Sequence, residues 1–250
     1  MKGNAMAANA PQAHAAARAP RFNLARLRDF ALIPALVILF VLGAFVSPSF
    51  LTEANLISIL GASAALALVV LAESLIIITG KFDLSVESTV GIAPAVGAML
   101  VIPAASGGFG TEWPLAMGLL AILAIGAVVG FINGFLVVKL RLNAFIVTLA
   151  MLIVLRGMLV GATKGGTLFD MPAPFFALAS TTFIGLPLSV WLAAVAFAVA
   201  GGMLRYHRLG RALYAIGGNA PAARAAGIKV DRITWGVFML AGVLASIGGL

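Results

Sequence analysis

Residues 55–79 read NLISILGASAALALVVLAESLIIIT, twenty-five residues with one ionisable side chain, Glu73. A helix of that length is about 37 Å long, enough to cross the roughly 30 Å of bilayer hydrocarbon. In lipid no water reaches the backbone, so each N–H and C=O must be satisfied within the segment, and helix is the conformation that does this. Six further apolar blocks lie around it, at about 30–47, 86–105, 114–138, 144–162, 183–204 and 234–250. None alternates in the ~10-residue manner of an outer-membrane barrel. The 30–47 block is longer than a signal-peptide core, and no A-x-A site followed by a soluble domain comes after it. Across 250 residues, 62% are hydrophobic and 10% charged, against about 25% charged in a soluble domain. The expected fold class is therefore all-α, a polytopic transmembrane helical bundle of about seven spans.

The charges orient it. Residues 1–29 are Ala-rich, carry Lys2, Arg18, Arg21, Arg26 and Arg28, and read as a flexible tail; residues 30–250 form the transmembrane domain. With the N-terminus inside and spans alternating, the inside segments hold fourteen of the sixteen Lys and Arg residues, and the outside loops hold only Lys164. That bias places the N-terminus in the cytoplasm. The net charge of +8 thus serves membrane orientation, and nucleic acid is not an expected partner. The final block stops at Leu250 inside an apolar run, and the expectation is a fragment or a truncated protein.

With no cysteine and only His14 and His207, neither a disulfide nor a metal site is expected, and no cofactor. There is no G-x-x-x-x-G-K-[ST] loop, so ATP hydrolysis is not expected on this chain. G-x-S-x-G and H-E-x-x-H are also missing, so a membrane hydrolase lacks its parts.

Several polar residues lie where polarity is expensive. Glu73 in the second block is either a solute-path or coupling residue, or a protonated or hydrogen-bonded side chain near a helix end. GKFDLSVES, residues 80–88, offers Gly80 as a helix stop and Asp83 or Ser85 as acceptors for the next helix start. It is either an ordinary turn or a helix end that offers N–H groups to a polar solute. Gly126, Gly130 and Gly134 recur every four residues, a packing signal, with Asn133 on the neighbouring face. Thr148 and Arg156 sit two turns apart on the fifth span. An intramembrane Arg needs a partner, and Glu73 is the candidate. The expected solute pathway is therefore Glu73, Asp83, Ser85, Asn133, Thr148 and Arg156.

The inside segment 205–233 reads RYHRLGRALYAIGGNAPAARAAGIKVDRI. Asn219 can cap a short helix, Pro221 suits its first turn and Gly227 its stop. Gly217 and Gly218 would allow a tight entry, and a side chain at Gly218 would strain any positive-φ conformation there. Small Ala220, Ala222, Ala223 and Ala226 would let the helix seat in a partner's groove. The alternative is a basic loop held by anionic headgroups.

LGRALYAIGGNAPAARAAGIKV resembles the cytoplasmic coupling segment of the ribose-type permease family of ABC importers. ITGKFDLSVES, GFINGFLVVKLRLNAFIVTLAM and LRGMLVG resemble three other family segments in the same order, and the resemblance runs from about residue 75 to 232. Glu87 stands where that family has Gly. The resemblance implies a permease subunit in the bacterial inner membrane and no catalytic residue of its own. Two permease copies would work with ATPase subunits docked on residues 205–233 and a periplasmic solute-binding protein. The implied coupling residues are Gly210, Arg211, Gly217, Gly218, Asn219, Ala223, Arg224 and Gly227. The implied solute is a ribose-, xylose- or galactose-like monosaccharide. A branched-chain amino-acid permease and an ion-coupled secondary transporter are the alternatives, the latter disfavoured because Glu73 is the one deeply placed acid.

Overall fold

The computed structural model describes residues 32–250; the tail expected over 1–29 lies outside them. α1, Leu32–Val46, and the turn after it up to Thr52 form one unit, in which the Phe50 ring lies over Gly43 and edge-on to Phe40. Residues Glu53–Leu250 form the second. Its helices are α2 (Glu53–Ile78), α3 (Val86–Val101), α4 (Leu115–Gly134), α5 (Ala144–Thr163), α6 (Ala173–Ser180), α7 (Leu188–Tyr206), α8 (Arg208–Ala225) and α9 (Val230–Gly248).

Seven of these helices coincide with the seven apolar blocks. Five are long and apolar enough to cross a membrane: α2, α4 with its π-turn extension to Lys139, α5, α7 and α9. α1 and α3 are shorter, at 15 and 16 residues. Block 86–105 was expected to be helical throughout. The structure corrects this: α3 ends at Val101, before Pro103, and the chain folds back over its last turn. Phe109 N–H donates to Met99 O (2.7 Å) and Trp113 N–H to Leu100 O (2.8 Å). The last carbonyls of α3 thus find protein donors.

α9 is the central element, lying on α4, α2 and α3. A Cβ on Gly126 would run into the carbonyl of Gly242, and one on Gly130 into the carbonyl of Phe238. Trp235 covers Gly134 and donates its indole N–H to Phe131 O (2.9 Å). Pro94 inside α3 deprives the Val90 carbonyl of its helical donor, and Gly249 packs against that carbonyl. The core joins Ala72, Leu75 and Ile76 of α2 to Phe238 and Ala241 of α9, with Val137, Val147 and Leu213. Outward faces stay apolar, as with Ile146, Ile153 and Met158 of α5, which suits a lipid solvent.

Loops alternate between the two ends. Thr79–Lys81, Arg141 and Gly217–Asn219 line one cleft of about 410 Å³. At the other end Ser106 Oγ donates to Asp170 Oδ2 (2.8 Å). Between α6 and α7 a hairpin pairs Thr182–Phe183 with Leu186–Pro187; its turn residues Ile184 and Gly185 both have positive φ, the I′ requirement.

Segment 205–233 was expected to be a loop carrying one short helix. Instead α8 starts at Arg208, its first turn capped by His207 Nδ1 accepting from Leu209 N–H (3.2 Å). It breaks at Asn219 (φ −158°, ψ 95°) and resumes to Ala225.

The glycine row predicts opposite signs for one substitution. Gly130→Ala drives a methyl into the Phe238 carbonyl and should destabilise by about 1–3 kcal/mol. Gly157→Ala on α5 meets no atom within 4 Å and should stabilise by about 0.5–1 kcal/mol. Thermal unfolding in detergent measures both; equal shifts would refute the α4–α9 contact.

Candidate functional site

The site is built where α2 stops. Thr79 is buried and its Oγ1 donates to Ile76 O (2.7 Å), while Gly80, at φ +74°, donates its N–H to Ile77 O (2.9 Å). The helix is thereby closed and the chain turned, as expected of Gly80. Asp83 follows, 4% exposed. Its backbone N–H donates to Glu73 Oε1 (3.2 Å). Its carboxylate accepts from Ser85 N–H (2.9 Å) and Ser85 Oγ (2.6 Å). Asn133, fully buried on α4, donates Nδ2–H to Ser85 Oγ at 2.7 Å and lies 3.4 Å from each Asp83 oxygen.

Four of the sequence-selected residues, Glu73, Asp83, Ser85 and Asn133, thus form one network that holds the 79–85 turn against α2 and α4. In that turn burial pushes the Asp83 carboxyl above its ordinary range, opposed by the hydrogen bonds from Ser85 and Asn133. Two buried oxygens in the network, Glu73 Oε2 and Asn133 Oδ1, have no protein partner. Each can take one more hydrogen bond.

Arg156 does not join this network. The expected partner was Glu73; the structure pairs Arg156 Nη1 with Glu87 Oε1 at 3.3 Å, on α3. The reason is geometric. α5 packs along α3 and not along α2, and Glu87 lies in the first turn of α3 facing it. Ser88 Oγ stands next to the pair, within bonding distance of Glu87 Oε2 (3.0 Å) and of Leu152 O (2.9 Å). Arg156 stands twelve residues beyond Ala144, about 18 Å along α5. Its side chain is 59% exposed and that of Glu87 60%. Thr148 joins neither cluster: it is buried and donates to Ala144 O in its own helix (2.8 Å). Glu87 was not among the selected residues. The signal available was its departure from Gly together with an intramembrane Arg in need of a carboxylate.

On α8 several expectations hold as geometry. Asn219 Oδ1 accepts from Ala222 N–H (2.9 Å) and Gly227 stops the chain at φ +84°. Others need correction. Gly218 has no positive φ and open space around it. The tight position is Gly217, where a Cβ would strike the carbonyl of Ile78, the last residue of α2. Ala223 does not face outward: it is buried on Ile216 and Val230 of the same chain. Gly210 packs on the backbone of Leu204, so it shapes the α7–α8 elbow. Arg211 donates to Tyr206 O (3.3 Å), and Arg224 is paired with Asp231 (2.7 Å). Gly218, Asn219, Pro221, Ala222, Ala225 and Ala226 are among the residues exposed on this segment.

Comparison with known proteins gives a consistent set. The model of a family described as branched-chain amino acid transport system / permease component matches residues 55–250. The ribose import permease protein RbsC of Escherichia coli is 36% identical over 233 residues, covering 92% of this chain and 70% of that protein. The L-arabinose ABC transporter permease protein AraH of Azospirillum brasilense is 33% identical, covering 86% of this chain and 61% of the relative. The autoinducer 2 import system permease protein LsrC of Klebsiella pneumoniae is 35% identical over 91% of this chain and 64% of the relative. No solved structure matches it.

Asn133→Leu keeps the volume but strips Ser85 and Asp83 of a buried donor, so it should destabilise by about 1–3 kcal/mol. Arg156→Gln, on an exposed pair, should cost at most about 1 kcal/mol in detergent. Thermal unfolding compares them; an Asn133→Leu protein as stable as the parent would show that the network does not hold the turn.

Proposed function

We propose that this chain, which belongs to the branched-chain amino acid transport system permease-component family, is the membrane-spanning subunit of an ATP-driven importer for a monosaccharide. The observation that carries the reading is 36% identity to a ribose import permease over 92% of the chain, beside relatives named for L-arabinose and autoinducer 2. In this reading the chain lies in a bacterial inner membrane with its N-terminus in the cytoplasm. It pairs with a second permease copy, receives solute from a periplasmic binding protein, and leaves ATP hydrolysis to separate ATPase subunits docked on residues 205–233.

The geometry supports a route for coupling. A force on the outward face of α8 reaches Gly217, which abuts the Ile78 carbonyl with no side chain between them. The end of α2 leads directly into the 79–85 turn, and through Asp83, Ser85 and Asn133 to the starts of α3 and the α4 backbone. Rigid elements joined by such unyielding contacts move as bodies, so α3 would carry Glu87 with it relative to Arg156 on α5.

The Glu87–Arg156 pair does not separate a sugar from an amino acid; the relatives named for ribose and L-arabinose carry that choice. Arg156 alone would suit a solute carboxylate. Paired with Glu87, it gives a net-neutral site with N–H donors and carboxylate acceptors, which suits the hydroxyls of a sugar and the two charges of a zwitterion alike.

The test is co-purification with an ABC ATPase subunit, together with solute-stimulated hydrolysis in proteoliposomes. Ala222→Trp adds bulk on the exposed face of α8 and should abolish both while membrane insertion stays normal. If Ala222→Trp leaves capture and stimulation at the parental level, the 205–233 segment is not the docking surface.

A further inference from the structure

A furrow runs up one face of α9 from its N-terminus. Lys229, Arg232, Ile233, Gly236, Val237 and Leu240 line it, at the spacing that keeps residues on one side of a helix. From Lys229 to Leu240 is about 16 Å. Its opposite wall is the α7–α8 elbow with Arg208, Leu209 and Leu213, and its floor is Leu75 of α2. The cavity is about 750 Å³, within the range of small-molecule sites. Gly236 deepens it, since a Cβ there would meet nothing within 4 Å.

The charge is all at one end. Arg208, Lys229 and Arg232 ring the mouth, all exposed. No acidic residue lines the cavity, and among the described residues none of the three cations is in an ion pair. The nearest acid in sequence, Asp231, is held by Arg224 at 2.7 Å. Above the mouth the lining is apolar.

We propose that this furrow binds an anionic phospholipid of the leaflet in which α8 lies. The phosphate sits among Arg208, Lys229 and Arg232, and one acyl chain runs along Ile233, Gly236, Val237 and Leu240. The shape and the charge separation select this occupant. A membrane helix would fill the apolar part but leave three cations unanswered at its end. A free phosphate would answer the cations but leave the furrow empty. An amphiphile with an anionic head satisfies both, and basic clefts between helices at the membrane surface attract such heads. The proposal is independent of the transported solute.

The test uses the full-length protein in neutral detergent, with lipid binding read by native mass spectrometry and by thermal shift. Phosphatidylglycerol should bind and raise the melting temperature; phosphatidylcholine and inorganic phosphate should do neither. The triple change Arg208→Gln, Lys229→Gln, Arg232→Gln should weaken phosphatidylglycerol binding on the order of a hundredfold. Gly236→Leu, which fills the furrow and keeps every charge, should weaken it at least about tenfold. Arg141→Gln, a cation at the same end but outside the furrow, should leave it unchanged. Equal binding of the two lipids overturns the proposal, as does full competition by phosphate alone. If the triple variant fails to fold, Gly236→Leu decides: undiminished phosphatidylglycerol binding there means the furrow is filled by something else, such as a protein helix.

Discussion

The rest of the bundle depends on α9 lying directly on the backbone of α4. Between helices in lipid there is no hydrophobic gain from hiding one apolar side chain against another, so association rests on close packing. Gly126 and Gly130 on α4 and Gly242 on α9 remove the side chains that would hold the backbones apart. The same approach seats Trp235 on Gly134. Asn133, one residue earlier and on the neighbouring face, is turned to Ser85 and Asp83. The packing stripe thus aims the polar network.

That network and α8 grip the same short turn from opposite sides. Asn133 and Glu73 hold Asp83 and Ser85 from within the bundle; Gly217 presses on Ile78 and lies beside Gly80 from the surface. A surface segment made of small residues is therefore not loosely attached. It has one point of backbone contact with the end of a span, and that point is next to the most polar part of the interior.

Much of this was legible in the sequence because lipid is a demanding solvent. The apolar blocks had to be helices, the four-residue glycine spacing had to be a close contact, and Gly80, Asn219 and Gly227 announced stops and caps by chemistry that acts within a few residues. What failed depends on contacts across the chain. Arg156 asked for a carboxylate, but which one was decided by α5 lying along α3, sixty-nine residues away in sequence. Ala223 looked like a surface residue in an alanine-rich run; the break at Asn219 rotates it onto Ile216 and Val230. Gly217 and Gly218 were indistinguishable by type, and only the position of Ile78 separates them. LGRALYAI, polar on one side, gave no sign that helix begins at Arg208, because His207 caps it from outside the usual set of capping residues.

The central claim is that motion of the surface helix reaches the spans through the Gly217–Ile78 contact. The most direct measurement is solute uptake per ATP hydrolysed, in proteoliposomes holding the permease with the ATPase and binding protein proposed as its partners, for Gly217→Ala beside Gly218→Ala. The account predicts that Gly217→Ala keeps ATPase capture but loses most of the uptake per ATP, whereas Gly218→Ala, with open space around it, behaves as the parent. Parental uptake per ATP in Gly217→Ala would contradict it.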